Sequence, residues 1–542
     1  MADSSGYQED EGVYRSSRAA ISLPAHPHQS FAAFLFSGPV GHPSNSSKPL
    51  IVDSSSGSFI SCREFRERVE AVAGGLWSLA GVAQGDVVLV LLGNTVHFPV
   101  IFHAALAIGA VVTTVNPANT AGEIDRQLRD SGAKFAVTSP ELAAKLGDPT
   151  RLSVIVLVDG ETSCHGSKFL PFRKLLEFKS GTAPENLVRI RLSDPAALLY
   201  SSGTTGPSKG VILSHGNLIT SVTILSEHEK PSVSIALLPL FHVAGLVVSA
   251  CLVIRKASTL IVLKKFDLVA MLEAIQRFKI TTLPLVPPIV VALMKNPVSA
   301  KYDLSSVTVA RCGAAPLKKE IQEAFLTKFP HIQDFFQGFG MTETTGMGAF
   351  GEGPPGSSGK LSANHEAKVV DLTTGKPLPP NFRGELLLRG PCIMQGYLNN
   401  PAATLHTIDK DGWLHTGDIV FFDSNGCLFV VDRLKELIKY KGYQVAPAEL
   451  EAVLLTHPAI VDAGVIPYPD EDAGEIPMAY IVRAAGESLS KSDAMKFVAE
   501  QVAPHKRIRR VEFLDAIPKL PSGKILRKDL IALAASDARS KL

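Results

Sequence analysis

From about residue 60 the chain alternates between two hydrophobic periods, and that alternation limits its possible folds more than any other feature. The segment CREFRERVEAVAGGLWSLAG, starting at Cys62, has the spacing of an amphipathic helix, whereas DVVLVLL, KFAVTS and SVIVLVD are continuous apolar runs of strand length. Strands without a polar face must be covered on both sides. Placed between helices, they predict an α/β fold with largely parallel sheets. At 542 residues the chain exceeds one ordinary core, so several stacked units are expected. GPPGSSG at 353–359 reads as a loop, and after it AKVVDLTTGKPLP, GELLLRG and CLFVVD read as short strands of a β-rich subdomain, with DSNGC as a hairpin turn. Beyond residue 434 the pattern restarts. APAELEAVLLTHP and SKSDAMKFVAEQVAP read as helices, the second capped by Ser or Asp, and DAGVIPYP and MAYIVRA as strands. The expected division is a disordered N-terminus over 1–20, a large N-terminal domain over 21–432 and a small α+β C-terminal domain over 433–542.

Several function classes recede on composition. Lys plus Arg number 54 and Asp plus Glu 52, a net charge of +2, which gives no reason to expect a nucleic-acid or charged-membrane partner. The run nearest to membrane length, FPVIFHAALAIGAVVTTV at 98–115, contains Pro99, His103 and Gly109, and reads as a buried helix followed by a strand, not a membrane span. The polar start, MADSSGYQEDEGVYRSSRAA, is neither a signal nor a transit peptide. Six scattered cysteines, without C-x-x-C or zinc spacing, suit a reduced intracellular protein. The final residues Ser540, Lys541 and Leu542 spell S-K-L, the address read by the peroxisomal import receptor, so that receptor and the peroxisome are the expected partner and location. A chance ending of a polar tail is the plainer reading.

The chemistry lies in short segments far apart in sequence. SSGTTGPSKG at 201–210 combines glycines, hydroxyls and one lysine, a set that wraps a polyphosphate, although the order G-x-x-x-x-G-K-[ST] is absent. In QGFGMTET at 337–344, the Thr342 hydroxyl suits an α-phosphate and the Glu343 carboxylate suits Mg²⁺. In GWLHTGDIV, Asp418 can accept from a ribose hydroxyl pair. DRLKELIKYKGYQVAPAEL is dense in Arg433, Lys435, Lys439 and Lys441, and PSGKILRKDL leaves Lys524 on a turn after Gly523. Singly, each has a plain alternative: glycine loops turn chains, and lysines solvate surfaces.

As an ordered set, YSSGTTGPSKGVILSHGNL, QGFGMTET, WLHTGD, DRLKELIKYKGYQVAPAELE and PSGKILRKDL resemble the adenylate-forming superfamily, over roughly residue 20 to the end. Within it the chain is similar to plant 4-coumarate–CoA ligase-like acyl-CoA synthetases of the peroxisomal branch, which include the jasmonate-precursor ligases. The resemblance implies stacked α/β subdomains under a mobile C-terminal lid pivoting near Lys435. It also implies a two-step ligase. A carboxylate first attacks the α-phosphate of ATP, giving acyl-AMP and pyrophosphate, and CoA then displaces AMP. By the same resemblance Ser201, Ser202, Gly203, Thr204, Thr205 and Lys209 hold the leaving β- and γ-phosphates, and Ala315, Gln337, Gly338 and Thr342 face the acyl-AMP. Glu343 holds Mg²⁺. Asp418 and Arg433 hold the ribose, Lys524 covers the α-phosphate, and Lys439 and Gln444 assist adenylation. Lys265, Lys441 and Gly442 contact CoA after the lid turns, and His242 gates the acyl site.

The acyl pocket departs from the hydroxycinnamate pattern. Where those ligases usually carry a tyrosine facing the phenol, this chain has Ala244, and their Gly-Pro-Val-like run is Thr345, Gly346 and Met347. With Gly340 alongside, these residues imply a wider, more apolar pocket and an apolar acid: a medium- or long-chain acid, an oxylipin acid, or unsubstituted cinnamate. A true hydroxycinnamate ligase, a luciferase-like monooxygenase acting on acyl-AMP, and a non-catalytic sensor of the same fold are the competing readings.

Overall fold

The apolar runs form strands at the hearts of two large sheets. In the computed structural model, which describes residues 5–23, 29–158, 168–179, 188–201, 208–227, 230–434, 436–440, 443–470, 473–502, 504–520 and 523–539, DVVLVLL, KFAVTS and SVIVLVD become Val87–Leu91, Phe135–Thr138 and Val154–Leu157. They pair in parallel with one another, and Val87–Leu91 also pairs with Val111–Thr114, inside an eight-stranded sheet. A nine-stranded sheet runs in parallel through Val309–Cys312, Thr282–Leu285, Val233–Ala236 and Thr259–Val262. Among the expected site residues, Ser202, Gly203, Thr204, Thr205, Lys435, Lys441, Gly442, Ser540, Lys541 and Leu542 lie outside the described residues, as does the side chain of Gln444.

The run at 98–115 divides as its residues dictate. His97–Ala107 is a helix whose residues from Phe98 to Leu106 are all buried, and Val111–Thr114 is a central strand. Among the described residues no helix is long and apolar enough to cross a membrane. The antiparallel six-stranded sheet is the foreseen β-rich unit. Its strands Leu414–Phe422 and Leu428–Arg433 meet across the DSNGC turn, which Gly426 closes by donating its N–H to the Asp423 carbonyl.

The expected disorder over 1–20 does not hold for residues 5–20, the part that is described. Tyr7–Gln8 and Val13–Arg15 form a hairpin that extends the six-stranded sheet through Glu366–Val370. The cause is aromatic burial. Tyr14 is 1% exposed, stacks on Phe422 with ring centroids 4.4 Å apart, and donates its hydroxyl to the Leu378 carbonyl. The acidic residues around it mask this anchor in the sequence.

A separate five-stranded sheet is built from residues 438–513, with Gly474–Arg483 at its centre and helices Pro447–Thr456, Lys491–Ala499 and Arg527–Arg539 completing the C-terminal unit. Arg527 holds this unit together from inside. Its guanidinium donates to Glu436 at 2.8 Å and pairs with Glu451, which also accepts the Val465 N–H at 2.8 Å. The unit meets the body through a small apolar cluster, Ile419 with Leu437 and Ala446, and through a few polar contacts. Lys295 donates to the Ile460 carbonyl, Lys318 to the Glu449 carbonyl, and the Ala448 N–H to Asp432. Removing the guanidinium leaves Glu436 and Glu451 as uncompensated buried charges. Arg527→Ala is therefore expected to destabilise the C-terminal unit by about 3–5 kcal/mol, read as a separate low-temperature transition in a calorimetric melt while the body transition stays in place.

Candidate active site

The body and the C-terminal unit enclose a cavity of about 950 Å³, walled by Ala314, Ala315, Gly338, Gly340, Asp418 and Arg433 from the body and by Gly523 and Lys524 from the other side. Two adjacent strands set one wall. Asp418 on Leu414–Phe422 stands in register with Arg433 on Leu428–Arg433, and the Arg433 Nε donates to Asp418 Oδ1 at 3.1 Å. The second carboxylate oxygen, Oδ2, is buried with no partner among the described residues. A buried acceptor with a spare lone pair costs free energy unless something donates to it, and a ribose hydroxyl is such a donor. Burial, reinforced by Glu436, raises the Asp418 carboxyl to about 6 against the opposing pull of Arg433 and Lys524.

Lys524 reaches this wall on a tight turn. Gly523 has a φ of +83°, and a Cβ there would lie 3.1 Å from Pro288 Cδ at the start of the body helix Pro287–Lys295. Both the backbone conformation and the close approach call for glycine. Burial, with Arg433 and Arg527 nearby, lowers the Lys524 ammonium to about 8, while Glu436 and Asp418 oppose the shift. The lysine is thus a desolvated cation aimed at a place where an anion would relieve it. The same charge reaches His242. That imidazole accepts the Ala244 N–H on Nδ1 at 3.4 Å, which leaves its proton on Nε2, and burial plus Lys524 hold it below the ordinary histidine range.

Strands Pro195–Ser201 and Lys209–Ser214 pair antiparallel with Ser201 opposite Lys209, and residues 202–207 between them lie outside the described residues. The Lys209 Nζ sits 4.7 Å from the centre of the Tyr397 ring. The Tyr397 hydroxyl donates to Glu343 Oε1 at 2.9 Å, and burial with the Glu343 charge pushes this phenol up, so it remains a donor. Glu343 is 6% exposed, and its Oε2 accepts no hydrogen bond among the described residues. Those residues hold no cluster of three or more His, Cys, Asp or Glu fit to cage a metal. One hard carboxylate oxygen nevertheless suits a Mg²⁺ that arrives on a polyphosphate and takes its remaining ligands from phosphate and water.

Other expectations need correction. The Gln337 amide is spent inside the protein: it donates to the Leu317 carbonyl and to Gln322 and accepts the Leu317 N–H, so it supports the Ala315 loop, and only its backbone can meet a ligand. Met347 is 4% exposed and belongs to the main apolar core with Val243 and Leu246; it does not line the cavity. Gly346 has a φ of +78°, and its carbonyl oxygen lies where it would be 2.2 Å from a Cβ on Gly340. The two glycines let the chain cross itself around the buried turn Thr342–Thr344, which places Thr342 and Glu343, rather than opening space. His242 and Ala244 are not among the residues that wall this cavity, although the Lys524 charge reaches His242. Lys439 is exposed, its N–H bonded to Glu475, and away from the cavity, while Lys265 lines a separate depression with Lys264 and Arg277. Sequence reasoning missed Tyr397, Glu436 and Arg527. The single Tyr after Gly in QGYL was the available signal for the first, and a Glu in a turn or an Arg at a helix start, each among other charges, is no signal at all.

Comparison with known proteins agrees with this geometry. Residues 43–398 match the model of the AMP-binding enzyme family, and 449–524 match that of the AMP-binding enzyme C-terminal domain. The chain is 45% identical to peroxisomal OPC-8:0-CoA ligase 1 of Arabidopsis thaliana, over 99% of this chain and 98% of that one. It is also 45% identical to the probable CoA ligase CCL5 of Humulus lupulus, over 98% of each. Its fold is similar to the crystal structure of the anthranilate CoA ligase AuaEII with anthranoyl-AMP, with a TM-score of 0.84, 25% identity, and coverage of 95% of this chain and 99% of that chain.

Two outcomes follow from the geometry of Lys524. Gly523→Ala should slow acid-dependent pyrophosphate release by about tenfold, because a non-glycine residue at that φ costs on the order of 1–3 kcal/mol and its Cβ presses on Pro288. The thermal midpoint of the body should not move. The pH profile of kcat/KM for ATP should be a bell with limbs near pH 6 and pH 8: below the first Asp418 takes up a proton, and above the second Lys524 loses its own. Lys524→Arg, whose guanidinium does not titrate in this range, should remove the alkaline limb while lowering the plateau.

Proposed function

The chain belongs to the AMP-binding enzyme family and is an acid–CoA ligase, and on that premise we propose that it activates an apolar carboxylic acid with the residues assigned above. In the first step a carboxylate oxygen attacks the α-phosphorus of ATP, the bond to the β-phosphate oxygen breaks, and acyl-AMP and pyrophosphate form. In the second, the CoA thiol attacks the acyl carbon and AMP leaves.

One observation carries the assignment: Asp418 and Arg433 of one hairpin share a cavity with Lys524 from far along the chain, with Asp418 Oδ2 unpartnered among the described residues and the Lys524 ammonium short of solvation. Asp418 accepts from the ribose and Arg433 fixes Asp418. Lys524 meets charge on the α-phosphate as two anions are brought together. At about 4 Å and an effective dielectric near 20, one such charge is worth about 4 kcal/mol, or roughly a thousandfold in rate. The 201–210 segment with Lys209 grips the departing β- and γ-phosphates, Thr342 contacts the α-phosphate, and Glu343 takes the Mg²⁺ that travels with ATP. His242, neutral with its proton on Nε2, orients the acid beside Lys524. Because Lys524 walls the cavity in this arrangement, thioester formation needs the C-terminal unit to swing about Lys435 and present Lys441 and Gly442, with Lys265 and its basic neighbours taking the distal phosphates of CoA. Exposed Lys439, with Gln444, serves the adenylation step only where the hairpin Ile438–Val445 moves closer.

The acid's identity rests on Ala244 in the acyl segment, where a ring-facing tyrosine would favour a phenol. A medium- or long-chain acid, an oxylipin acid or unsubstituted cinnamate suits such a pocket, and a relative named for OPC-8:0 is in keeping with this choice. The S-K-L ending and that relative's peroxisomal name support import into peroxisomes. A CoA-thioester assay over octanoate, a cyclopentanone-octanoate, cinnamate and 4-coumarate tests the reading. Higher kcat/KM for an apolar acid is expected, with acyl-AMP formation lost in Lys524→Ala. A clear preference for 4-coumarate overturns the apolar assignment.

A further inference from the structure

The segment 391–398 lies between the phosphate-loop hairpin and the turn that carries Glu343. Its backbone ties to both: the Met394 N–H donates to the Glu343 carbonyl at 2.9 Å, the Gln395 N–H to Ile212 at 3.0 Å and the Leu398 N–H to Gly210 at 2.8 Å. Tyr397 repeats this bridge with its side chain. The hydroxyl holds Glu343 Oε1 at 2.9 Å, and the ring face meets the Lys209 ammonium 4.7 Å away. Thr404 clamps the residue in turn by accepting the Tyr397 N–H at 2.9 Å.

We propose that Tyr397 is a positioning residue for adenylation: one phenol fixes the Mg²⁺-side carboxylate and the phosphate-side cation of the triphosphate clamp in a single rigid relation. The inference rests on the reading that Glu343 serves the Mg²⁺ of MgATP. Two requirements converge here. A carboxylate with one oxygen pinned by a hydroxyl keeps the other aimed at the metal and loses little rotamer freedom on binding. A lysine held over an aromatic face keeps its charge near the phosphates without a carboxylate partner to neutralise it. A carboxylate in place of the ring would anchor Lys209 too, but would cancel the charge the phosphates need. Tyrosine meets both requirements.

The test is calorimetric titration of ATP, first with EDTA and then with Mg²⁺, on wild type, Tyr397→Phe, Glu343→Gln and the double variant. Phe keeps the ring and drops the hydroxyl. Tyr397→Phe is expected to bind metal-free ATP as wild type does, to lose about tenfold of the affinity gained on adding Mg²⁺, and to unfold at an unchanged temperature. In the double variant, Phe should add nothing to Glu343→Gln. Tyr397→Leu, lacking the ring as well, should also weaken metal-free ATP binding. If Glu343→Gln abolishes the Mg²⁺-dependent gain but Tyr397→Phe retains it in full, the positioning role is overturned and the Glu343 reading stands. If Glu343→Gln retains it, both fall.

Discussion

The site depends on keeping cations ionised where little water reaches them. Arg433, Lys524 and Arg527 stand close enough to repel one another, and the fold tolerates this by interleaving Asp418, Glu436 and Glu451. Compensation is uneven. Arg527, with Glu436 and Glu451 on either side, is driven above the ordinary guanidinium range, while Lys524, without a hydrogen-bonded carboxylate, falls to about 8. The difference sorts the two by use: a fully paired cation holds structure, and an underpaired one can stabilise charge that appears during a reaction.

The same contrast applies to the polar groups around them. Gln337 and Arg527 have every strong interaction satisfied within the protein, whereas Asp418 Oδ2 and Glu343 Oε2 keep acceptor capacity unused among the described residues. Satisfied groups fix loops and helices. The unsatisfied ones have the geometry of ligand contacts, and for Asp418 Oδ2, which is buried, staying bare is costly.

Much of this was legible in the sequence. Period and run length reveal the parallel strands, the helix-then-strand division at 98–115 and the restart after residue 434, because burial on both faces of a sheet forces continuous apolar runs. The ordered motifs, through the family resemblance they carry, also nominate Asp418, Arg433 and Lys524. Orientation is what residue type leaves open. Gln337 and Met347 sit in or beside the right segments, yet one bonds backward and the other packs inward, and no one-dimensional pattern distinguishes a pocket wall from a core wall. The N-terminal hairpin was hidden for a related reason: one aromatic anchor, Tyr14, outweighs the charged residues that surround it. Gly346 shows the same limit of residue type. Its left-handed backbone explains the lack of proline without any gain in pocket volume, so the case for an apolar acid leans on Ala244.

The distribution of bonds also bears on how the C-terminal unit would move. Inside it, Arg527 joins three segments through buried, multidentate pairs, and such a knot resists deformation. Toward the body, Lys295 and Lys318 each reach backbone carbonyls, contacts that water can replace at small cost. The bond between Asp432 and the Ala448 N–H spans the segment containing Lys435, so a rotation centred there displaces its partners least. Burial raises the Asp432 carboxyl to about 7, against the pull of the Arg527 charge and of the Arg433 and Ala448 N–H groups it accepts. A unit stiff within, and held to the body by one small apolar cluster and backbone-directed bonds, is built so that it could turn as a body. Bringing Lys524 in for adenylation and taking it out for the thiol step would then require rearranging few bonds, all of them at the interface.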